Sequence, residues 1–119
     1  MKPLFLCYDR CSTCVKASKW LEANGVEVER RSIVDQNPTV AEITEWFKIS
    51  GLPIRRFFNT SGIKYRELGL KDRVVTAPVE ELIELLATDG MLVKRPLIVC
   101  EDRVVVGFRE KEYLSLLDD

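Results

Sequence analysis

Histidine is absent from all 119 residues of this chain. That excludes a Cys–His or Ser–His–Asp relay and every metal site built on imidazole. A nucleophilic thiolate here must be activated by a helix N-terminus, by backbone N–H groups, or by arginine and lysine. An excess of either charge is also missing: 18 basic and 19 acidic side chains leave a net charge of −1. The overall field therefore directs the protein neither to nucleic acid nor to an anionic membrane. No apolar run approaches the ~20 residues of a bilayer span. Met1-Lys2-Pro3 leads straight into strand-like sequence without a cleavage-site pattern, so export is not expected and a cytoplasmic location is. In that compartment the four cysteines are expected to serve catalysis, sensing or metal binding rather than structural cross-links. Repeats, linkers and low-complexity stretches are lacking, and the length suits one domain, residues 1–119.

Of what is present, Cys11-Ser12-Thr13-Cys14 carries the most chemistry. It follows the strand-like run Leu4-Phe5-Leu6-Cys7 and opens a helical pattern. A Cys-x-x-Cys pair at such a turn points to thiol–disulfide exchange. The unpaired N–H groups and positive dipole end of the helix favour thiolate over thiol at the first sulfur. Cys11 is therefore the candidate nucleophile and Cys14, one turn inside the helix, the candidate resolving thiol. Cys7 and Cys100 lie in strand-like runs and read as core residues. Cys7, Cys11 and Cys14 share the Cys-x3-Cys-x2-Cys spacing of the cluster ligands in radical-SAM enzymes, but such enzymes need a partial barrel far longer than this chain. A zinc site with Cys100 would use soft ligands, yet no second Cys-x2-Cys exists, so no metal is expected.

The pattern along the chain is β-α-β, then helices, then β-β-α. Residues 3–8 read as a buried strand, residues 12–24 as a helix stopped by Asn24-Gly25, and residues 26–33 as an alternating strand. Thr39 and Glu42 form a capping box ahead of Ile43, Trp46, Phe47 and Ile49, with Gly51 as the stop. Pro53 suits a short helix through Phe58, closed by the turn Asn59-Thr60-Ser61-Gly62. Pro78 opens an amphipathic helix with Val79, Leu82, Ile83, Leu85 and Leu86 inside and Glu80, Glu81 and Glu84 outside. Pro96–Cys100 and Arg103–Phe108 read as a hairpin across Glu101-Asp102, and a last helix carries Tyr113, Leu114, Leu116 and Leu117. The expected fold is α/β and thioredoxin-like (glutaredoxin-like): a mixed four-stranded sheet with an inserted helical subdomain. The redox core would be roughly residues 1–34 and 91–119, and the insert roughly 35–90.

Arginine is the second theme. Arg55 and Arg56 sit in the first turn of a short helix, where cations oppose the dipole unless an anion binds there. Arg95 directly precedes Pro96. Thioredoxin-like folds place a cis-proline before the third strand, facing the active cysteine, so Arg95-Pro96 is expected to be cis. Arg109, after the last strand, completes a possible cluster.

Cys11-x-x-Cys14, Gly51-Leu52-Pro53-Ile54-Arg55-Arg56-Phe57-Phe58-Asn59-Thr60, Lys94-Arg95-Pro96-Leu97-Ile98-Val99 and Val106-Gly107-Phe108-Arg109 together resemble the arsenate reductase / Spx family. The likeness runs in order over essentially the whole chain. It implies a bacterial, cytoplasmic redox protein in which Cys11 attacks a small oxyanion held by Arg55, Arg95 and Arg109. No bound cofactor is implied; glutathione, glutaredoxin or thioredoxin would donate electrons, and neither nucleic acid nor membrane is a direct partner. Two departures stand out. The glutaredoxin-coupled reductases of the family carry a small polar residue at the position of Cys14 and His-Asn-Pro where this chain has Tyr8-Asp9-Arg10. The Cys-x-x-Cys form is similar instead to the Spx regulators, which bind RNA polymerase and use the pair as a redox switch, although the Spx-like middle lacks an arginine at Arg55. The resemblance thus implies a thiol reductase acting on an oxyanion or disulfide or, as the alternative, a polymerase-binding redox sensor.

Overall fold

The computed structural model describes residues 2–117. Strand β1 (Leu4–Cys7) leads through a tight turn into helix α1 (Ser12–Ala23). Asn24 and Gly25 end the helix. The Asn24 N–H donates to the Trp20 carbonyl at 3.0 Å, and Gly25 takes φ 68°, a region open to glycine at no steric cost. The chain returns as β2 (Glu29–Ser32), parallel to β1 with Leu4 opposite Glu29 and Cys7 opposite Ser32. The second strand is shorter than the alternating run 26–33 implies. It lies at the sheet edge, where the charged residues Arg30 and Arg31 discourage pairing with another chain. Val26 and Val28 leave the ladder to pack beneath it.

Strands β3 (Leu97–Val99) and β4 (Val104–Val106) form the expected hairpin, and β3 pairs antiparallel with β1. The strand order is β2-β1-β3-β4, the mixed four-stranded sheet anticipated from the pattern. Side chains alternate between two cores. Phe5, Ile98 and Val105 face α1 and the C-terminal helix, meeting Ala17, Leu21 and Tyr113. Leu6, Leu97, Val104 and Val106 face the middle helices. Burial on both faces explains why these strands read as continuous apolar runs.

The middle of the chain covers the second face. Helix α2 (Val40–Ser50) starts at the expected capping box: the Glu42 N–H donates to Thr39 Oγ1 at 3.1 Å, and the Thr39 N–H donates to Glu42 Oε1 at 3.0 Å. Gly51, at φ 66°, ends it. A 3₁₀ turn over Ile54–Phe57 follows, then α3 (Ile63–Glu67), α4 (Leu70–Thr76) and α5 (Val79–Leu86). Hydrophobic spacing marks no element between residues 63 and 76, yet two helices occupy it. Only Tyr65, Leu70 and Val74 are buried there, while Ile63, Leu68 and Val75 are exposed, so apolar spacing and burial do not coincide. The C-terminal α6 (Glu110–Tyr113) continues as a 3₁₀ turn to Leu117. No helix among the described residues is long and apolar enough to cross a membrane.

Two contacts tie the middle layer to the sheet. Arg31 at the end of β2 grips Glu42 with both guanidinium nitrogens, at 2.6 and 2.9 Å, while its Nε donates to the Gln36 carbonyl at 2.9 Å. Glu42 thus serves cap and ion pair together. The hydrogen bonds from Arg31 chiefly hold its carboxyl down at about 2, against an ordinary 4.5. A depressed carboxylate stabilises fully above its unfolded value and loses that contribution as pH falls through the folded one. Gly90, opening the 3₁₀ turn Gly90–Leu92, rests on the backbone of Ile33, where an added Cβ would stand 1.9 Å from the Ile33 carbonyl oxygen.

Glu42→Ala is expected to cost about 1–2 kcal/mol at pH 7 in urea unfolding. The difference from wild type should shrink between pH 5 and 2; a difference independent of pH would contradict the linkage. Gly90→Ala is expected to cost about 3 kcal/mol or more, because the clash is with backbone that cannot rotate away.

Candidate active site

The turn out of β1 is closed by the Cys11 N–H donating to the Tyr8 carbonyl at 3.0 Å, which sets Cys11 as the N-cap of α1. Its half-buried thiol is shifted down in pKa. Burial works against that shift and is outweighed by the Cys14 backbone N–H, the Cys14 thiol, the Thr13 N–H and the charge of Arg95. Cys14, one turn on, is buried beside Ala17 and Leu21. Its pKa is raised, mainly by that burial, although the Tyr8 N–H donates to its sulfur at 3.3 Å. The two thiols are free. The pair is thus polarised: Cys11 tends to thiolate, and Cys14 keeps its proton and donates it toward Cys11.

Cys11 opens into a cleft of about 520 Å³ whose walls bring together Arg56, Lys64, Lys94, Arg95 and Arg109, with no carboxylate in the lining among the described residues. Lys64 is paired with Asp89 at 3.3 Å. Arg56, Lys94 and Arg109 have no ion pair among the described residues. Arg95 comes from the segment before β3, and its peptide bond to Pro96 is cis, as the pattern implies. Its guanidinium lies over the Tyr8 ring, 5.1 Å from the centroid, and Nη1 donates to the Met91 carbonyl at 3.3 Å. The buried Nε has no partner, and a buried donor left unmade is costly. Arg109 reaches the cleft because Gly107, at φ 78°, turns the chain out of β4. The Gly107 N–H donates to the Pro96 carbonyl at 2.8 Å, and its own carbonyl accepts from the buried Tyr113 hydroxyl at 3.0 Å.

Cys11, Arg95 and Arg109 therefore share one cleft, as the sequence implies. Arg55 does not join them. It is exposed and absent from the lining, and its neighbour Arg56 lines the cleft instead. In a 3₁₀ turn consecutive side chains point about 120° apart. Once Ile54 and Phe57 enter the core, only one of the two arginines can face the cysteine. Lys64, Lys94 and Asn59 also line the cleft and went unnoticed in the sequence: the loop and helix starts that carry them have no spacing signal, although Lys94 adjoins Arg95. Cys7 and Cys100 are a second correction. Both pack against the core on the α1 side of the sheet but are only half-buried, since each stands at or just past a strand end where packing thins. Among the described residues no group of three or more cysteine, aspartate or glutamate side chains is placed to hold a metal.

Comparison with known proteins places these features in a family. The family model described as "ArsC family" matches residues 6–116. An ArsC-family-related protein from Bacteroides fragilis, of known crystal structure, is 55% identical with a TM-score of 0.95, over 98% of either chain. A protein from Streptococcus mutans described as a possible arsenate reductase is 41% identical, TM-score 0.86, over 95% of this chain and 97% of its own. The global transcriptional regulator Spx of Listeria monocytogenes is 28% identical over 107 residues, 90% of this chain and 80% of its own.

Iodoacetamide is expected to alkylate Cys11 at least tenfold faster than Cys14 at pH 6–7, because thiolate and access both favour it. Faster labelling of Cys14 would reverse the two roles.

Proposed function

The chain belongs to the ArsC family, and from that premise we propose that it is a cytoplasmic thiol-dependent oxidoreductase that binds a small tetrahedral oxyanion against Cys11. One observation carries this reading: a pKa-lowered thiol faces a cleft of five cationic side chains without a carboxylate, one of which leaves a buried donor unpaired. Clustered like charges are unfavourable unless an anion joins them, and guanidinium forks match oxyanion geometry in a way ammonium groups do not.

The chemistry follows from the two thiols. The Cys11 thiolate attacks the central atom of the oxyanion, arsenate in the type case. One oxygen takes up protons and leaves as water. A second thiol, Cys14 or glutathione, then attacks the Cys11 sulfur, and the electron pair of the broken bond stays on the central atom, which departs reduced by two electrons. The resulting disulfide is reopened by glutathione, glutaredoxin or thioredoxin. At rest Cys14 holds its proton, and the Tyr8 N–H beside it is placed to stabilise the charge once that proton has gone.

A second reading is favoured by the pair itself. Two free thiols of opposite polarisation at an open helix start, in a chain similar to Spx, suit a redox switch whose closure removes the Cys11 charge from beside Arg95. The partner would then be RNA polymerase.

Sulfate, phosphate or arsenate at a hundredfold excess over Kd is expected to stabilise the protein by about 2.7 kcal/mol, a melting rise on the order of 10 °C. Arg95→Lys should weaken binding about tenfold although its charge is unchanged. No anion response, together with co-purification of RNA polymerase, would transfer the case to the switch.

A further inference from the structure

Cys7 has no part in the chemistry above, yet it lines one groove with Cys14. Side chains alternate along β1, so Cys7 points to the same face as Phe5 and packs on the core beneath α1. Cys14 arrives at that interface from the other side, on the buried stripe it shares with Ala17 and Leu21. The Tyr8 N–H fixes the distance between them. It lies 3.3 Å from the Cys14 sulfur and is bonded to the Cys7 carbonyl carbon, so that sulfur lies within about 6 Å of the Cys7 Cα. A Cβ and an Sγ on Cys7 bridge such a gap. Both thiols line a groove of about 330 Å³ whose walls include Ser18, Lys19 and Arg30. Cys11 lines the cationic cleft and is absent from this groove. Cys14 thus separates two openings, with Cys11 on one side and Cys7 on the other.

We propose that Cys7 is a third redox thiol: it attacks the Cys14 sulfur of a Cys11–Cys14 disulfide, forming a Cys7–Cys14 bond and freeing Cys11. The step rests on the reading that Cys11 and Cys14 form a disulfide. It needs no further oxidant. Cys7 loses its proton to solvent and supplies the electron pair of the new bond. The Cys11–Cys14 bond breaks with its pair on Cys11, and the number of disulfides is unchanged. The environment sets the direction. The leaving group that departs fastest is the thiol of lowest pKa, and Cys11 is the sulfur whose thiolate the Cys14 and Thr13 N–H groups and Arg95 favour. Attack on the Cys11 sulfur would instead expel Cys14, whose thiolate burial disfavours. The exchange returns the nucleophile to the cleft and leaves the disulfide in a groove of mixed charge, where a reducing thiol reaches it without competing with a bound oxyanion.

Disulfide mapping tests this on the intact chain. Trypsin cuts after Arg10 and Lys16, so a Cys11–Cys14 bond stays within residues 11–16, while a Cys7–Cys14 bond joins residues 1–10 to residues 11–16. After one equivalent of diamide, with aliquots quenched in acid and alkylated, the internal bond is expected first. The cross-linked pair should then replace it severalfold as Cys11 becomes alkylated. In Cys11→Ser, diamide should give the Cys7–Cys14 cross-link directly. A Cys11–Cys14 bond that persists for hours in wild type with Cys7 still alkylatable overturns the relay, as does a Cys11→Ser protein that gives no cross-link. Cys7→Ser separates the two layers of the argument. Retention of its Cys11–Cys14 bond keeps the underlying disulfide reading even where the relay has failed; absence of that bond overturns both.

Discussion

Everything at the site hangs from β1, whose Phe5 and Leu6 are fully buried on opposite faces of the sheet. A strand clamped between two cores cannot slide or rotate, since a one-residue slip would exchange its faces. Its last residue therefore has a fixed position, and the four-residue turn that follows places the first N–H groups of α1 against Cys11. Helix dipole, backbone donors and the neighbouring thiol act on that sulfur only because the strand holds it there. The same clamp positions Tyr8, whose ring supports Arg95 and whose N–H meets Cys14. One short apolar strand thus sets the geometry of nucleophile, partner thiol and cation together.

Electrostatics at the cleft run against stability. Cationic groups from the 3₁₀ turn, the start of α3, the segment before β3 and the start of α6 converge with, among the described residues, one carboxylate pairing, Lys64 with Asp89. Elsewhere the chain places charge conventionally: Arg31 and Glu42 are matched at the junction of sheet and middle layer, and the surface mixes both signs. A concentration of one sign in one concave place, in a protein of net charge −1, is the electrostatic basis of the oxyanion site proposed above. The unpaired Arg95 Nε is its sharpest sign, because in a purely structural arrangement a buried donor finds a partner.

The middle helices show how a second wall is built onto a small four-stranded sheet. They share a core with the sheet through Leu6, Leu97, Val104 and Val106, and the close approach of Gly90 to Ile33 draws their C-terminal end against the end of β2. That docking brings Arg56, Asn59 and Lys64 opposite Cys11. The same cysteine pair on a bare sheet would keep the helix N-terminus and lose Arg56 and Lys64 from the cationic cleft.

Local chemistry made much of this legible in sequence. The Cys11–Cys14 turn, the Thr39–Glu42 capping box, the Asn24-Gly25 and Gly51 stops and the β3–β4 hairpin each depend on neighbours a few residues apart, and such interactions leave a spacing signature. The cis bond at Pro96 and the place of Arg95 and Arg109 beside Cys11 came from resemblance, because nothing within those segments announces what they will face. Tertiary packing alone decided the rest. Arg55 and Arg56 are indistinguishable in sequence; burial of Ile54 and Phe57 turned one outward and the other into the cleft. Residues 63–76 became helices without an apolar stripe because a few buried side chains pack against the 3₁₀ turns Ile54–Phe57 and Gly90–Leu92. Cys7 came to lie beside Cys14 because α1 packs across the end of β1, a contact between faces that no one-dimensional spacing encodes.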